Sequence, residues 1–255
     1  MCYDIKTMKR SQLKKAKHFG DDKQVKELEK ELEQLELLDI HHSSGFDHPQ
    51  LSIITNDKEK PFKIASWGFI PSWAKTLEDG KQFWNKTLNA RSEEMFEKNA
   101  YQSSAKNKRC LIVVDGFYEH HHYAGKTYPF FIHAQEPILL AGLWNEIKTP
   151  DGAMVTFSIC TTKGNSLLKK IHNNPKMNQA RMPVILNDEL GKKYIEIDAN
   201  DKAGKDEVLE LCQPNNIQLT AYPVHALRGK YGTGNKPVAS EEWLYLELDY
   251  KTLIE

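Results

Sequence analysis

The fold is decided at residues 109–119, Arg-Cys-Leu-Ile-Val-Val-Asp-Gly-Phe-Tyr-Glu. The apolar run has the length and composition of a fully buried strand, and Asp115-Gly116 breaks or bulges it. Glu119 follows among aromatic neighbours. If burial desolvates this carboxyl, its pKa rises and the group becomes able to transfer protons near neutral pH. A solvated glutamate at the end of a strand is the simpler alternative.

Other elements are predicted on both sides of this stretch, from apolar segments bounded by Gly, Pro and polar residues. The predicted strands cover residues 51–55, 62–67, 128–133, 138–143, 155–161 and 217–224. The predicted helices lie near residues 93–101, 188–195 and 202–212. A further short helix opens at Gly164-Asn165 and runs towards His172.

The N-terminal part carries a charged segment. Residues 6–17 are densely basic, and Asp21-Asp22 offers an N-cap for a helix that runs to about Asp39. One apolar stripe recurs there at steps of three and four, at Val25, Leu28, Leu32 and Leu35. The stripe favours packing against the body of the same domain. A short coiled-coil dimer is the alternative, although two heptads are few for one.

The composition excludes several classes of protein. Lys plus Arg equals Asp plus Glu at 35 each, so net charge gives no bulk attraction to nucleic acid, and any DNA contact needs a local basic surface. The four cysteines are far apart, which argues against a zinc ribbon or a disulfide framework. We therefore expect a reduced, intracellular protein. Neither a bilayer-spanning apolar run nor a signal peptide is recognisable.

The histidine-rich segments do not predict a metal site. His41-His42 and His48 lie in a segment that reads as a turn-rich loop, without a zinc-ligand spacing. In residues 120–122, three consecutive histidines on a strand would point to alternate faces. The glycine-containing basic loop 229–237 lacks the spacing and ending of a P-loop. We expect no metal and no cofactor.

The first residues suggest a nucleophile. Cys2 is small enough to let Met1 be removed, and the new terminus would then carry an amine and a thiol on adjacent carbons. Such a 1,2-aminothiol condenses with an aldehyde to an imine, which the sulfur closes to a thiazolidine, and an N-terminal nucleophile also attacks carbonyls. A small second residue without a function is the alternative.

Three further motifs have two interpretations each. The loop from Trp67 to Trp73 is either a packed corner or a pair of exposed indoles that stack on bases. Asn89-Ala-Arg91 is either a capping segment or a pair of side chains that holds a carboxylate or phosphate. His172, at a helix end, is either structural or catalytic.

Taken together, the motifs resemble the SOS-response-associated peptidase (SRAP) family, whose members include abasic-site crosslinking proteins. The resemblance covers nearly the whole chain and implies an α+β fold, with a β-barrel-like mixed sheet flanked by helices. It implies one domain over residues 1–255, with a charged helical insertion around residues 9–39. The motifs that carry it are Met1-Cys2, Trp67-Gly-Phe-Ile-Pro71, Asn89-Ala-Arg-Ser-Glu93, the stretch 109–119, Ala141-Gly-Leu-Trp144, His172 and Arg181-Met-Pro-Val-Ile-Leu186.

The resemblance also implies roles for single residues. The catalytic set carried over by motif is Cys2, Asn89, Glu119 and His172. The DNA-binding set is Arg91 and Arg181, which match residues that grip phosphate, with Trp67 and Trp73 as the wedge or stacking residues. Two features depart from the family pattern: Tyr3-Asp4 stands where Gly-Arg is common, and residues 173–180 separate His172 from Arg181.

The leading hypothesis is therefore an abasic-site processing protein. It would bind single-stranded DNA, crosslink itself to abasic sites through Cys2 and remove its own Met1. We expect a monomer in the cytoplasm of a bacterial-type cell, associated with the nucleoid when DNA is damaged, and without a membrane partner. The alternatives are an N-terminal-cysteine peptidase or amidase with external substrates, and a non-catalytic single-stranded-DNA binder.

Overall fold

The computed structural model describes residues 2–37, 39–74, 76–150, 152–215 and 217–254, so Met1 and its predicted removal lie outside the described residues. The helices are α1 (Lys9–Ala16), α2 (Asp22–Gln34), α3 (Leu77–Lys81), α4 (Gln102–Asn107), α5 (Ser166–Ile171), α6 (Asp188–Glu196), α7 (Lys202–Leu211) and α8 (Tyr250–Ile254). The strands are β1 (Asp4–Thr7), β2 (Ile40–Ser44), β3 (Gln50–Thr55), β4 (Phe62–Trp67), β5 (Asn89–Arg91), β6 (Arg109–Val114), β7 (Gly116–Tyr123), β8 (Lys126–His133), β9 (Ile138–Thr149), β10 (Gly152–Lys163), β11 (Arg181–Pro183), β12 (Ile185–Leu186) and β13 (Thr220–Pro223).

Five strands close into a barrel. β10 pairs with β4, β4 with β3, β3 with β6, β6 with β9, and β9 again with β10. The β10–β4 pairing is parallel and the other four are antiparallel, so the sheet is mixed. Closure leaves no free edge among these strands. The predicted α+β class with a barrel-like mixed sheet flanked by helices is confirmed.

A second sheet lies beside the barrel in the order β13-β8-β7-β1-β2. The predicted stretch 109–119 supplies the link, because β6 belongs to the barrel and β7 to this second sheet, with Asp115 between them. β1 lies between β2 and β7, with Asp4 opposite Ser44 on one side and Tyr118 on the other. β1 is thereby held as an inner strand of the second sheet.

A common apolar core joins the two sheets. Ile5 and Phe117 from the second sheet pack in the same cluster as Ile112 and Phe157 from the barrel, and Cys2 belongs to it. Burial of such side chains is the main favourable contribution to folding, on the order of 25 cal/mol per Å² of apolar surface. The site described below lies at this junction.

The charged N-terminal segment packs on its own domain, as the apolar stripe predicts. Val25, Leu28 and Leu32 are buried in a cluster with Ile54 and other residues of the barrel side. Asp21 is the N-cap, and its side chain and that of Gln24 form a reciprocal capping box. The helix ends at Gln34, earlier than the predicted end near Asp39.

Two local predictions are wrong. Residues 40–44 form the strand β2 and not the predicted turn-rich loop. The two histidines and two serines give no strand signal, and it is the pairing with β1 that makes this segment a strand. The helix predicted over residues 93–101 is absent from this described stretch. A short 3-10 turn at Ser92–Glu94 stands at its start, and α4 begins only at Gln102.

Candidate active site at the junction of the two sheets

Cys2 is fully buried and lies two residues before the start of β1. Its Sγ lies 4.0 Å from the Asp4 carbonyl oxygen, as a weak S–H donor. Burial, followed by the nearby Glu119 carboxylate, raises the pKa of the Cys2 thiol well above its usual value. The sulfur is therefore a neutral thiol at neutral pH, and a preformed thiolate is disfavoured.

Asn89 reaches Cys2 from the barrel. It begins β5, which runs parallel to β10 with Asn89 opposite Ile159. The Asn89 Nδ2 donates to the Cys2 carbonyl oxygen at 2.8 Å. The Asn89 Oδ1 is buried and accepts no hydrogen bond from any described residue. An unsatisfied buried acceptor is costly, so a donor in a functional complex would be stabilised here.

Glu119 comes from β7, and it is buried. Its Oε2 lies 3.1 Å from His172 Nδ1, and its Oε1 accepts from the His120 backbone N–H at 3.1 Å. Burial alone would raise the pKa of Glu119, but the hydrogen bond from His172 and the charges nearby hold it below its usual value. The predicted rise of this pKa is therefore wrong, since the sequence does not reveal the histidine contact.

His172 follows α5, whose N-cap is Asn165. Its Nδ1 also lies 3.1 Å from the Arg181 carbonyl oxygen. Both neighbours of Nδ1 are acceptors, which assigns a proton to this nitrogen. The other ring nitrogen, Nε2, lies 3.4 Å from the Met177 sulfur. A thioether is a weak acceptor, so this contact is easily exchanged for a better one.

A cavity with more basic than acidic side chains opens beside Asn89. Its volume is about 550 Å³, and its charged lining consists of Lys86, Arg91 and Lys98 with Glu94 and Glu97. Arg91 is half-exposed and contacts the Glu94 carboxylate at 3.3 Å. Exposed ion pairs of this kind are weak, so the arginine is available to an anionic ligand. The predicted phosphate contact of Arg91 stays a prediction, with a suitable cavity next to it.

Arg181 has a different setting. Its guanidinium is buried and bidentate to Glu93, with Nη1–Oε1 at 2.8 Å and Nη2–Oε2 at 2.9 Å. Nη2 also donates to the Thr161 carbonyl oxygen at 2.7 Å. A phosphate would have to displace Glu93 to reach these nitrogens. Phosphate binding by Arg181 remains a prediction, and the observed contacts are those of a residue that fixes β11 against β10.

The two tryptophans of the 67–73 loop are in opposite environments. Trp67 is fully buried, donates from Nε1 to the Leu88 carbonyl oxygen at 2.8 Å and stacks on Phe157. In this structure it is therefore a packed corner, and the prediction of an exposed stacking indole is wrong for it. Trp73 is 50 % exposed and packs edge-on against Phe83, so it remains a candidate for contact with a base.

Sequence reasoning missed a charged cluster around Asp4, two residues after Cys2. The Asp4 carboxylate is almost completely buried, and it accepts from His42 Nε2 at 2.8 Å and from Arg228 Nη2. The three residues are distant in sequence, so no local pattern reveals the cluster. The Asp4 charge is paired inside the protein, where it does not confront an approaching phosphate.

Within the described residues, no helix has both the length and the apolar composition needed to cross a bilayer.

Comparisons with known proteins identify relatives. The family model described as SOS response associated peptidase (SRAP) matches residues 7–230. The abasic site processing protein YoqW of Bacillus subtilis (strain 168) is 35% identical over 182 residues, which cover 69% of this chain and 75% of that protein. The abasic site processing protein HMCES of Xenopus tropicalis is 29% identical over 192 residues, which cover 66% of this chain and 54% of that protein.

Solved structures agree with the fold. A crystal structure of a protein from Bacteroides thetaiotaomicron superposes with a TM-score of 0.79 at 26% sequence identity, covering 95% of this chain and 100% of that chain. A second, from Bordetella bronchiseptica, gives a TM-score of 0.67 at 18% identity over 88% of this chain and 99% of that one. This second similarity concerns the fold alone.

Proposed function

This chain belongs to the SOS response associated peptidase family, and on that premise we propose that it processes abasic sites in DNA by covalent attachment through Cys2. The observation that carries the proposal is the contact set around Cys2. The Asn89 side chain donates a hydrogen bond to the Cys2 carbonyl oxygen. Glu119, which is hydrogen-bonded to His172, lies close enough to raise the pKa of the Cys2 thiol. The reactive groups are proposed to be the amine and thiol of a processed N-terminus.

The first step is hydrolysis of the bond between Met1 and Cys2. Water adds to the Met1 carbonyl carbon, the C–N bond breaks, and the leaving amine takes a proton. Glu119 is the nearby group with the chemistry to shuttle that proton. The released amine of Cys2 is then a donor, and the unsatisfied Asn89 Oδ1 is an acceptor suited to hold it.

The amine next attacks the aldehyde carbon of the ring-opened abasic sugar. An α-amine has a usual pKa of about 7.7–8.0, so most of it is protonated at neutral pH and a base must take a proton first. Glu119 can accept this proton because its lowered pKa keeps the carboxylate ionised, although the same shift makes it a weaker base. The adduct then loses water to give an imine, and Glu119 returns its proton to the leaving hydroxyl group.

His172 has a complementary role in opening the sugar. The closed ring opens when its oxygen gains a proton and the hydroxyl on the anomeric carbon loses one. Since Nδ1 of His172 faces two acceptors and keeps its proton, delivery from Nε2 requires the doubly protonated imidazolium, which returns to the Nδ1–H form as the sugar oxygen takes the proton. Met177 must leave Nε2 before the sugar oxygen takes its place.

The thiol completes the reaction. Its S–H adds across the imine C=N, with sulfur bonding to carbon and the proton going to nitrogen, which gives a thiazolidine without any redox partner. The raised pKa of the Cys2 thiol supports this order, because the sulfur stays neutral while the amine attacks. Ring closure also removes the open imine, through which β-elimination would break the strand.

The DNA is proposed to be single-stranded and the protein a monomer. The cavity beside Asn89 supplies positive charge from Arg91, Lys86 and Lys98, and Trp73 supplies an exposed aromatic ring. Electrostatic contact with phosphates combined with stacking on aromatic rings is the usual mode of single-strand binding.

Denaturing gel electrophoresis tests the proposal. Purified protein incubated with an abasic single-stranded oligonucleotide should give an adduct that survives heat and detergent, and Cys2→Ala should give none. Cys212→Ala is the matched control, because this cysteine is also buried but lies in the other core cluster. An adduct of equal yield with Cys2→Ala would remove Cys2 from the reaction.

A further inference from the structure

Residues 173–180 form a strap between His172 and β11. The chain departs from the family pattern in this segment, so no residue of the strap has a role carried over from the motifs. Met177 is partly buried, whereas Lys176 and Asn178 on either side of it are exposed. The Met177 sulfur lies 3.4 Å from Nε2 of the buried His172. The strap therefore turns one side chain inwards, onto the proposed proton donor.

The strap is fixed at both ends. Asn173 is bound to the main chain of His122 on β7, with its Oδ1 accepting from the N–H at 2.7 Å and its Nδ2 donating to the carbonyl oxygen at 2.8 Å. At the other end, the Ala180 carbonyl oxygen accepts from the Gly164 N–H at 2.9 Å. Residues 174–179 lie between these two anchors.

The middle of the strap is held mainly by its own hydrogen bonds. The Asn174 side-chain oxygen accepts from the Lys176 N–H, and the Asn174 carbonyl oxygen accepts from the Met177 N–H, both at 3.0 Å. Among the described residues, the hydrogen bonds of residues 174–179 stay within the strap, apart from the contact between Met177 and His172. Segments with few contacts to the body of a protein open at a low cost in free energy. The strap can therefore lift Met177 away from His172 while its ends stay in place.

A thioether suits a contact that is given up when the substrate binds. Proton delivery from Nε2 requires the imidazolium form of His172, and in the resting protein the Met177 sulfur accepts the Nε2–H. Sulfur is a weak acceptor, so the ring oxygen of a sugar replaces it readily. A stronger acceptor at position 177 would hold His172 more firmly and oppose this exchange.

The position and the charge of the strap fit the approach of a nucleic acid strand. His172 lies 3.1 Å from Glu119, which is close enough to Cys2 to raise the pKa of its thiol. The strap carries the positive charge of the exposed Lys176 and no carboxylate. A phosphodiester that arrives at the strap is therefore attracted and not repelled.

We propose that the strap reserves His172 for the abasic sugar: Met177 occupies Nε2 in the resting protein and is exchanged for the ring oxygen of the sugar when the strand binds. Met177 is then a specificity-determining residue, because a ligand without an oxygen at this place does not compensate for the lost contact. The inference rests on the proposed function, which places the sugar at His172.

The inference adds a rule for the affinity of the site. A contact that exists only in the resting protein lowers the apparent affinity, because only the fraction of molecules with the contact open binds the sugar. The affinity for the lesion should therefore fall as the acceptor at position 177 becomes stronger.

Fluorescence anisotropy with two non-reactive oligonucleotides tests this rule. One carries a tetrahydrofuran abasic analogue, which has the ring oxygen, and the other carries an acyclic three-carbon spacer at the same place, which lacks it. Met177→Ala removes the acceptor and should bind the tetrahydrofuran strand about two- to tenfold more tightly than wild type, the net worth of an ordinary hydrogen bond. Met177→Gln supplies an amide oxygen and should bind that strand more weakly than wild type. All these proteins should bind the spacer strand equally.

Met154→Ala is the matched control. Met154 is another partly buried methionine, on β10 near its start, and its removal should leave both affinities at the wild-type value. A role of Met177 in the structure of the strap alone would change binding of both strands alike, so equal responses to the two strands would overturn the inference. So would a Met177→Ala affinity no tighter than wild type for the tetrahydrofuran strand, or a Met177→Gln affinity no weaker. Because neither strand reacts, this result is separate from the crosslinking assay, whose failure would overturn the Cys2 chemistry instead.

Discussion

At the scale of single residues, the Glu119–His172 pair is the centre of the account. The two side chains are both buried and lie 3.1 Å apart, with His172 Nδ1 shared between the carboxylate and the Arg181 carbonyl oxygen. The pair therefore holds an ionised carboxylate close to Cys2. The proposed general base is therefore a side chain of the protein itself.

Glu119→Gln tests the base directly. The amide keeps the size of the side chain but does not take a proton, so crosslinking should slow by about 10²- to 10⁴-fold, the usual contribution of a general base. Met1 should also stay attached. Glu146→Gln, which changes an exposed glutamate of β9 outside the site, is the control and should retain the wild-type rate. A Glu119→Gln rate equal to wild type, measured by single-turnover gel assay, would cancel the proton-transfer role.

The lowered pKa of Glu119 also predicts a pH dependence of stability. A carboxyl with a folded pKa below its unfolded value of about 4.3 stabilises the fold above that pH, and the stabilisation is lost as the pH falls through the folded pKa. The wild-type protein should therefore have a higher free energy of unfolding than Glu119→Gln at pH 6, and this difference should shrink below about pH 4. Urea titrations at a series of pH values measure it; an advantage that grows on acidification contradicts the assigned direction.

Trp67 and Trp73 form a matched pair with opposite predicted effects. Trp67→Ala removes a buried ring and the hydrogen bond to Leu88, so it should destabilise the protein by about 3–5 kcal/mol. Trp73→Ala should change stability by less than about 0.5 kcal/mol and weaken single-strand binding. Thermal unfolding and anisotropy separate the two. Equal losses of stability would contradict the buried position of Trp67 and the exposed position of Trp73.

The sequence predicts which residues meet around Cys2 better than it predicts their environments. Motif order selected Asn89, Glu119 and His172, and the structure brings them to one place around Cys2. It did not reveal the direction of the Glu119 pKa shift or the burial of Trp67, because both depend on side chains far along the chain. The pairing of Asp4 with His42 and Arg228 was invisible for the same reason.

At the scale of elements, apolar periodicity was the reliable signal. It predicted the strand at residues 109–114 and the inward face of α2, where the stripe decides the packing. It failed at β2, whose polar residues become a strand only by pairing with β1. It also failed over residues 93–101, where only a 3-10 turn at Ser92–Glu94 stands near the predicted start.

The insertion around residues 9–39 allows a matched test of its packing. Leu32 is fully buried against the barrel side, whereas Leu35 is 48 % exposed at the end of α2. Leu32→Ala should therefore destabilise the protein by about 2–5 kcal/mol, and Leu35→Ala by less than about 0.5 kcal/mol. Chemical unfolding compares them. If the stripe were a dimer interface, Leu35→Ala would instead alter the molar mass measured by light scattering.

At the scale of the whole molecule, the site exists only because two sheets meet. Cys2 precedes β1 and Glu119 lies on β7, and both strands belong to the second sheet. Asn89 lies on β5, which pairs with the barrel strand β10. His172 follows α5, the helix after β10. Neither sheet holds the full set. The chain from β1 to His172 must therefore fold as one unit before any of the proposed chemistry is possible.

Intact mass spectrometry of the product formed with an abasic oligonucleotide, without borohydride, tests whether the processed Cys2 forms the thiazolidine. The expected mass is that of the chain lacking Met1 plus the oligonucleotide minus one water, with fragmentation locating the bond at Cys2. Cys2→Ser should give only an adduct that needs borohydride trapping, because its hydroxyl replaces the thiol. A product that retains Met1, or a bond located at a lysine, would contradict the account.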